Sequence, residues 1–279
     1  RDLVRSRGLG DVYKRQGTNV LLSGDAGTNW SSIYTTINSA NLILKHTPEI
    51  SFTNEATRNE VMANAYFLRA YCYFTLVRVF GDCPLLTSGF ESEKQEDMYP
   101  SRTAASEVYA QVETDIEEAL RLMPASSKLL HKASPAAINM LRTEYYLWKA
   151  KRLGGGNAAL STAQSSVDAV LKAGYALLPT FADIFNLNNE ANSELIWTLP
   201  YIVNENVTPG TSPNFFAYYL APNGDRTRLR EAGYTEDEVP AGSHAQYVVP
   251  TQAYCDFLAE DARDTRTDAV SYTHLRAHE

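Results

Sequence analysis

No run of about 18 or more apolar residues occurs in the 279-residue chain, so no segment has the makings of a membrane-spanning helix. Cysteine is scarce. Cys72, Cys83 and Cys255 form an odd set without CxxC spacing, which excludes a disulfide framework and a zinc-ligand pattern. The signatures HExxH and GxSxG and a phosphate-binding loop are all missing. The glycines at 154–156 follow no strand, so they read as a turn between helices and not as a phosphate cradle. Of the histidines, His46, His131 and His244 sit in no catalytic setting, and no cofactor or metal is implied. Positive charge is also short, with 25 Lys and Arg against 33 Asp and Glu.

The two ends read differently from the rest. RDLVRSRGLGDVYKRQ at 1–16 is basic but is followed by no apolar stretch of the kind a signal peptide requires. Together with VSYTHLRAHE at 270–279 it reads as translated adapter sequence, which puts the natural chain at about Gly17 to Ala269, truncated at both ends. Without these tails 19 basic and 30 acidic residues remain, a net charge of −11. Such a chain repels phosphate backbones, which argues against a nucleic-acid partner.

What the sequence has in quantity is helical periodicity. WSSIYTTINSANLIL spaces Ile33, Ile37, Ala40 and Leu44 as one helix face, ending near Pro48. A second helix is predicted from after Asn54 to Phe80, with Ala63, Phe67, Ala70, Phe74 and Val77 as one apolar stripe. Tyr66, Tyr73, Leu76 and Phe80 form another stripe beside it. A helix apolar over so much of its circumference belongs among several neighbours, and Gly81 and Pro84 stop it. Cys72 within it reads as a small buried hydrophobe. A third helix is predicted to open at Pro100-Ser101 and close at Pro124, and a fourth begins at Ser134-Pro135 with Ile138, Leu141, Tyr145 and Trp148 on one side. A fifth, with Val167, Val170 and Leu171, ends at Gly174. The recurring pairs and the small–large alternation Ala63/Phe67 and Ala70/Phe74 resemble tetratricopeptide packing.

After Gly174 the pattern changes. YALLPTFADIF reads as a turn and short helix, and SELIWTLPY at 193–201 has strand composition, with Leu195, Trp197 and Leu199 alternating. Six of the 12 prolines then fall between residues 200 and 250. This predicts a long irregular region, where binding usually resides.

The segment RAYCYFTLVRVFGDCPLL is similar to a motif of the SusD/RagB family, carried here by Arg69, Tyr73, Leu76, Val77, Arg78, Phe80, Gly81, Asp82, Pro84 and Leu85. SEVYAQVETDIEEALRLMP at 106–124, GYALLPTFADIF followed by NSELIWTLPY, and VVPTQAYCDFLAEDARDTRTD at 248–268, with Asp264 and Arg266, resemble further family segments in the family's order. The resemblance spans about residues 28–268. It implies a mainly α fold: a tetratricopeptide-like α-superhelix of helix pairs at 17–200, supporting a loop-rich, partly irregular subdomain at 201–269. It also implies a role. Such proteins sit at the cell surface on the outer membrane, held by a lipid anchor whose cysteine is missing here, and catalyse nothing. They capture glycans, or sometimes peptides, for a SusC-like TonB-dependent transporter. On this reading the 66–86 helix and its Gly-Asp stop are scaffold.

Sugar rings stack their C–H faces on flat aromatics, while polar side chains read the hydroxyls. The densest match is Asn214, Phe215, Phe216, Tyr218, Tyr219, Asn223, Asp225 and Arg226, with Trp30 able either to line the same pocket or to cap the first helix. Trp148 and Trp197 read as core. The competing reading is a helical scaffold for proteins or peptides with no sugar site. A glycosidase would need converging carboxylates about 5–10 Å apart. Glu117/Glu118 and Asp261/Asp264 are the available pairs, and both read as solvated or structural.

Overall fold

The computed structural model of the chain describes residues 29–92, 100–125, 130–184, 189, 191–199 and 260. Its contacts divide the chain into two units, Arg1–Ala173 and Gly174–Glu279, whereas the composition changes to loop-rich only after residue 200. In the first unit lie α1 (Ser31–His46), α2 (Glu55–Phe80), α3 (Ala105–Leu122), α4 (Pro135–Arg152) and α5 (Gly156–Lys172), with a 3-10 turn at Thr47–Glu49. In the second lies the short α6 (Phe181–Ile184). Consecutive helices α1 to α5 pack on one another, so the chain is mainly α and built of packed helix pairs.

Local chemistry explains the boundaries. The Asn54 side chain accepts from the Ala56 N–H at 2.9 Å to start α2. Gly81 stops it at φ +69, a conformation that costs a side-chain-bearing residue but not glycine. Ser134 accepts from the Ala137 N–H at 3.1 Å and Pro135 occupies the first turn of α4. The glycine turn between α4 and α5 closes with the Gly155 N–H donating to the Lys149 carbonyl at 3.0 Å.

Helix α2 is the centre. Phe67, Ala70, Phe74 and Val77 from one stripe and Tyr73 and Leu76 from the other are buried, and α2 packs against both α1 and α3. Burial of Phe67, Phe74, Leu76 and Val77 contributes roughly 1.5–3 kcal/mol each. Cys72 and Cys83 are free, buried thiols. Burial pushes the Cys72 thiol up to about 11, which disfavours the thiolate.

Two expectations are corrected, and one helix face is defined. Helix α3 starts at Ala105 and not at Pro100-Ser101, because Thr103 pairs with Cys83 in an isolated antiparallel bridge. Its N-terminus is capped from a distance, the Asp82 carboxylate accepting from the Ala105 N–H at 2.8 Å. Leu171 is 66% exposed. The buried face of α5 is the small-residue stripe Ala159, Ala163, Ser166 and Val170, and Leu171 stands one position round from it. Finally, residues 191–199 contain no strand. The Asn192 side chain accepts from the Glu194 N–H at 3.0 Å and its carbonyl from the Leu195 N–H at 3.3 Å, so a local turn consumes the groups a ladder would need.

Candidate functional site

Arg69 on α2 and Asp115 on α3 form an ion pair whose side chains are 6% and 0% exposed. The guanidinium donates through Nε to Asp115 Oδ2 at 2.8 Å and through Nη2 to Oδ1 at 2.6 Å, and its Nη1 reaches Asn41 Oδ1 on α1 at 2.8 Å. Gln111, one turn before Asp115, donates to the same carboxylate at 2.8 Å. Burial pushes the Asp115 carboxyl up, and the Arg69 guanidinium opposes it. Burial would lower Arg69, but its bonds to Asp115 reverse that and hold it above the ordinary arginine value. Three helices are thus tied at one buried polar point.

The segment after the Gly81 stop is then gripped by its main chain. The Pro84 carbonyl accepts from Tyr34 Oη at 2.7 Å. Leu86 offers both its backbone groups to the Tyr73 phenol. Asn41 Nδ2 donates to the carbonyls of Leu86 and Ser88 at 2.9 and 3.3 Å. Asn38 does both jobs at Phe90, donating to its carbonyl at 3.1 Å and accepting from its N–H at 2.7 Å. Gly89 lies so close to α1 that an added Cβ would stand 2.6 Å from the Leu42 side chain.

Between this segment and the helices is a pocket of about 590 Å³, within the range of small-molecule sites. Asn41, Lys45, Tyr66, Arg69 and Gln111 line it from the helices, and residues 87–89 from the segment. At its rim the Lys45 ammonium pairs with Glu91 at 2.6 Å, and His46 meets Glu91 through Nε2 and Glu49 through Nδ1. Nothing in the sequence singled out this pocket. The nearest signal was the Arg69–Tyr73 spacing within the family-like segment.

Of the sequence-predicted ligand residues, the structure places Trp30. It is half-buried, with its ring edge-on to Phe80 at 5.1 Å and Tyr34 at 5.8 Å and the Arg102 guanidinium over it at 4.9 Å. Asn214, Phe215, Phe216, Tyr218, Tyr219, Asn223, Asp225 and Arg226 lie outside the described residues. Trp148 is half-buried, its indole donating to the Tyr109 hydroxyl at 2.9 Å, and Trp197 is also half-buried.

Glu113, Glu117 and Glu118 of α3 are engaged. Glu117 accepts from Arg142 at 2.7 Å and from Tyr146 at 3.2 Å, while Glu118 pairs with Arg121 one turn on. Asp261 and Asp264 lie outside the described residues. Glu113 accepts from Tyr145, Tyr146 and Lys149. Burial works to raise its carboxyl, but the bonds from Lys149, Tyr146 and Tyr145 prevail and hold it below the ordinary value. The contacts of Glu113 and Glu117 knit α3 to α4.

A SusD-like family model, described as starch-binding and associating with the outer membrane, matches residues 8–146. The SusD-like protein P38 of Formosa agariphila is 31% identical over 70% of this chain and 39% of its own. A solved SusD superfamily protein from Bacteroides vulgatus superposes with a TM-score of 0.69 at 27% identity, over 85% of this chain and 49% of its own. A solved laminarin-binding SusD-like protein gives a TM-score of 0.52 at 26% identity, over 60% of this chain and 36% of its own. The chain spans less than half the length of each of these relatives.

Proposed function

Because the chain belongs to the SusD-like family of non-catalytic binding proteins, we propose that it captures glycans at the outer membrane and passes them to a SusC-like TonB-dependent transporter. The observation that carries this reading is the match of residues 8–146 to a family described as starch-binding and associating with the outer membrane. The likeness to a laminarin-binding protein at 26% identity supports a polysaccharide as the ligand class. The ligand-contacting residues in this reading are Trp30, Asn214, Phe215, Phe216, Tyr218, Tyr219, Asn223, Asp225 and Arg226. The Arg102 guanidinium already lies over the Trp30 ring.

The test is a panel of polysaccharides, laminarin and starch included, run against the full chain by affinity gel electrophoresis and calorimetry. Retardation by at least one polysaccharide, reduced about tenfold or more in Tyr218→Ala or Tyr219→Ala, is the expected result; one lost stacking contact is worth about that much. A folded protein that binds no member of the panel would overturn the glycan reading in favour of a peptide ligand.

A further inference from the structure

We infer that the pocket between residues 87–89 and helices α1 to α3 is a second ligand site, built for one neutral saccharide unit. The inference rests on the glycan reading for the ligand class and on the pocket's own chemistry for the place. Four polar groups of its lining hydrogen-bond to no described residue: the Tyr66 phenol, the Thr87 and Ser88 hydroxyls, and the Gln111 side-chain carbonyl. Three of them both donate and accept, and the fourth accepts. That mixed set suits a ring of hydroxyls, each of which also does both. The Tyr66 ring already carries the Arg69 guanidinium over it at 5.4 Å, so the phenol and not a ring face is what it offers a ligand.

Charge selects against an anion. Both cations that line the pocket already have partners, Lys45 in Glu91 at 2.6 Å and Arg69 in the two oxygens of Asp115. A carboxylate or phosphate would have to draw Arg69 from its buried two-point pair and a neutral polyol would not, while the exposed Lys45–Glu91 pair adds little to that selection. The lining is also held in place before any ligand arrives. Arg69 is fixed by Asp115 and Asn41, and the 87–89 wall is held by its main chain, so the ordering left to cost affinity is that of the exposed Thr87 and Ser88 side chains.

Titration of the full chain with glucose, laminaribiose, glucuronate and inorganic phosphate, followed by ¹H–¹⁵N NMR, tests the site. Shifts at the backbone amides of Thr87, Ser88 and Gly89 and at the Gln111 side-chain amide are expected with the neutral sugars. Tyr66→Phe, Thr87→Val and Ser88→Ala remove hydroxyls that hold no described residue. Combined, they should keep the thermal midpoint and weaken the neutral sugar about tenfold or more. Tyr218→Ala should leave these shifts unchanged. Polysaccharide binding with no shift at residues 87–89 or Gln111 overturns the second site and leaves the glycan reading standing. Tighter binding of glucuronate or phosphate than of glucose overturns the neutral-ligand assignment, as does a triple variant that binds glucose unchanged.

Discussion

The Tyr73 phenol closes a two-way hydrogen bond with the backbone of Leu86, donating to its carbonyl at 2.8 Å and accepting from its N–H at 2.6 Å. Tyr73 is fully buried at the centre of α2, and burial pushes its phenol far above the ordinary tyrosine value. In Tyr73→Phe the Leu86 carbonyl keeps its bond from Asn41, but the N–H loses its partner. The expected cost is about 1–3 kcal/mol, read by urea unfolding. Faster amide exchange at residues 86–90 should accompany it. A variant as stable as the parent would show that the phenol is dispensable to this wall.

Asp115→Asn removes the charge that balances a buried guanidinium. A loss of about 3–5 kcal/mol is expected, from leaving Arg69 uncompensated. The double variant Arg69→Met/Asp115→Leu removes both charges and should recover most of that loss. Urea midpoints for the three proteins decide the matter, and a double variant no better than Asp115→Asn contradicts it.

Gly81 and Gly89 are needed for different reasons. A Cβ at Gly81 meets nothing within 4 Å, but the backbone there has φ +69 and ψ −128, so Gly81→Ala should cost about 1–3 kcal/mol in strain alone. A Cβ at Gly89 runs into Leu42 at 2.6–2.8 Å. Leu42→Ala should therefore relieve part of the loss in Gly89→Ala and none of the loss in Gly81→Ala. Thermal midpoints of the three single and two double variants test this coupling.

His46 sits between two carboxylates. Its bonds with Glu49 and then Glu91 hold the imidazole above its ordinary 6.5, while Lys45 and then His46 hold Glu91 below 4.5. The histidine's contribution is complete below pH 6.5 and is lost as pH rises through its raised folded value. The Glu91 contribution is present above pH 4.5 and is lost as pH falls through its lowered value. The bridge from α1 to residue 91 is thus complete between pH 4.5 and 6.5. An NMR titration should place His46 above 6.5 in the parent and nearer 6.5 in Glu91→Gln. An unchanged value in that variant would remove Glu91 from the account.

The helices were legible where their signals are local. Asn54, Gly81 and Ser134-Pro135 act within a turn of themselves, and α2 and α4 begin where they indicate. The start of α3 was not legible. Its cap is Asp82, 23 residues earlier in the chain, brought there by the Cys83–Thr103 bridge. The pocket was hidden for the same reason. Asn41, Arg69 and Gln111 each read as an ordinary polar residue on its own helix, and only packing brings them together. Leu171 stands outside the close α4–α5 contact, which takes Ser166 and the alanines.

Asn38, Asn41 and Tyr73 hold residues 86–90 entirely through carbonyls and amides, and take nothing from the side chains at 87 and 88. A clamp of that kind is blind to the side chains at 87 and 88, whereas Gly89 is fixed by its approach to Leu42 and proline is barred from 86 and 90, whose N–H groups are used. Positions 87 and 88 are therefore free to mutate without loosening the framework. Selection can rewrite this edge as a cassette, exchanging two exposed side chains while the three-helix support beneath stays as it is.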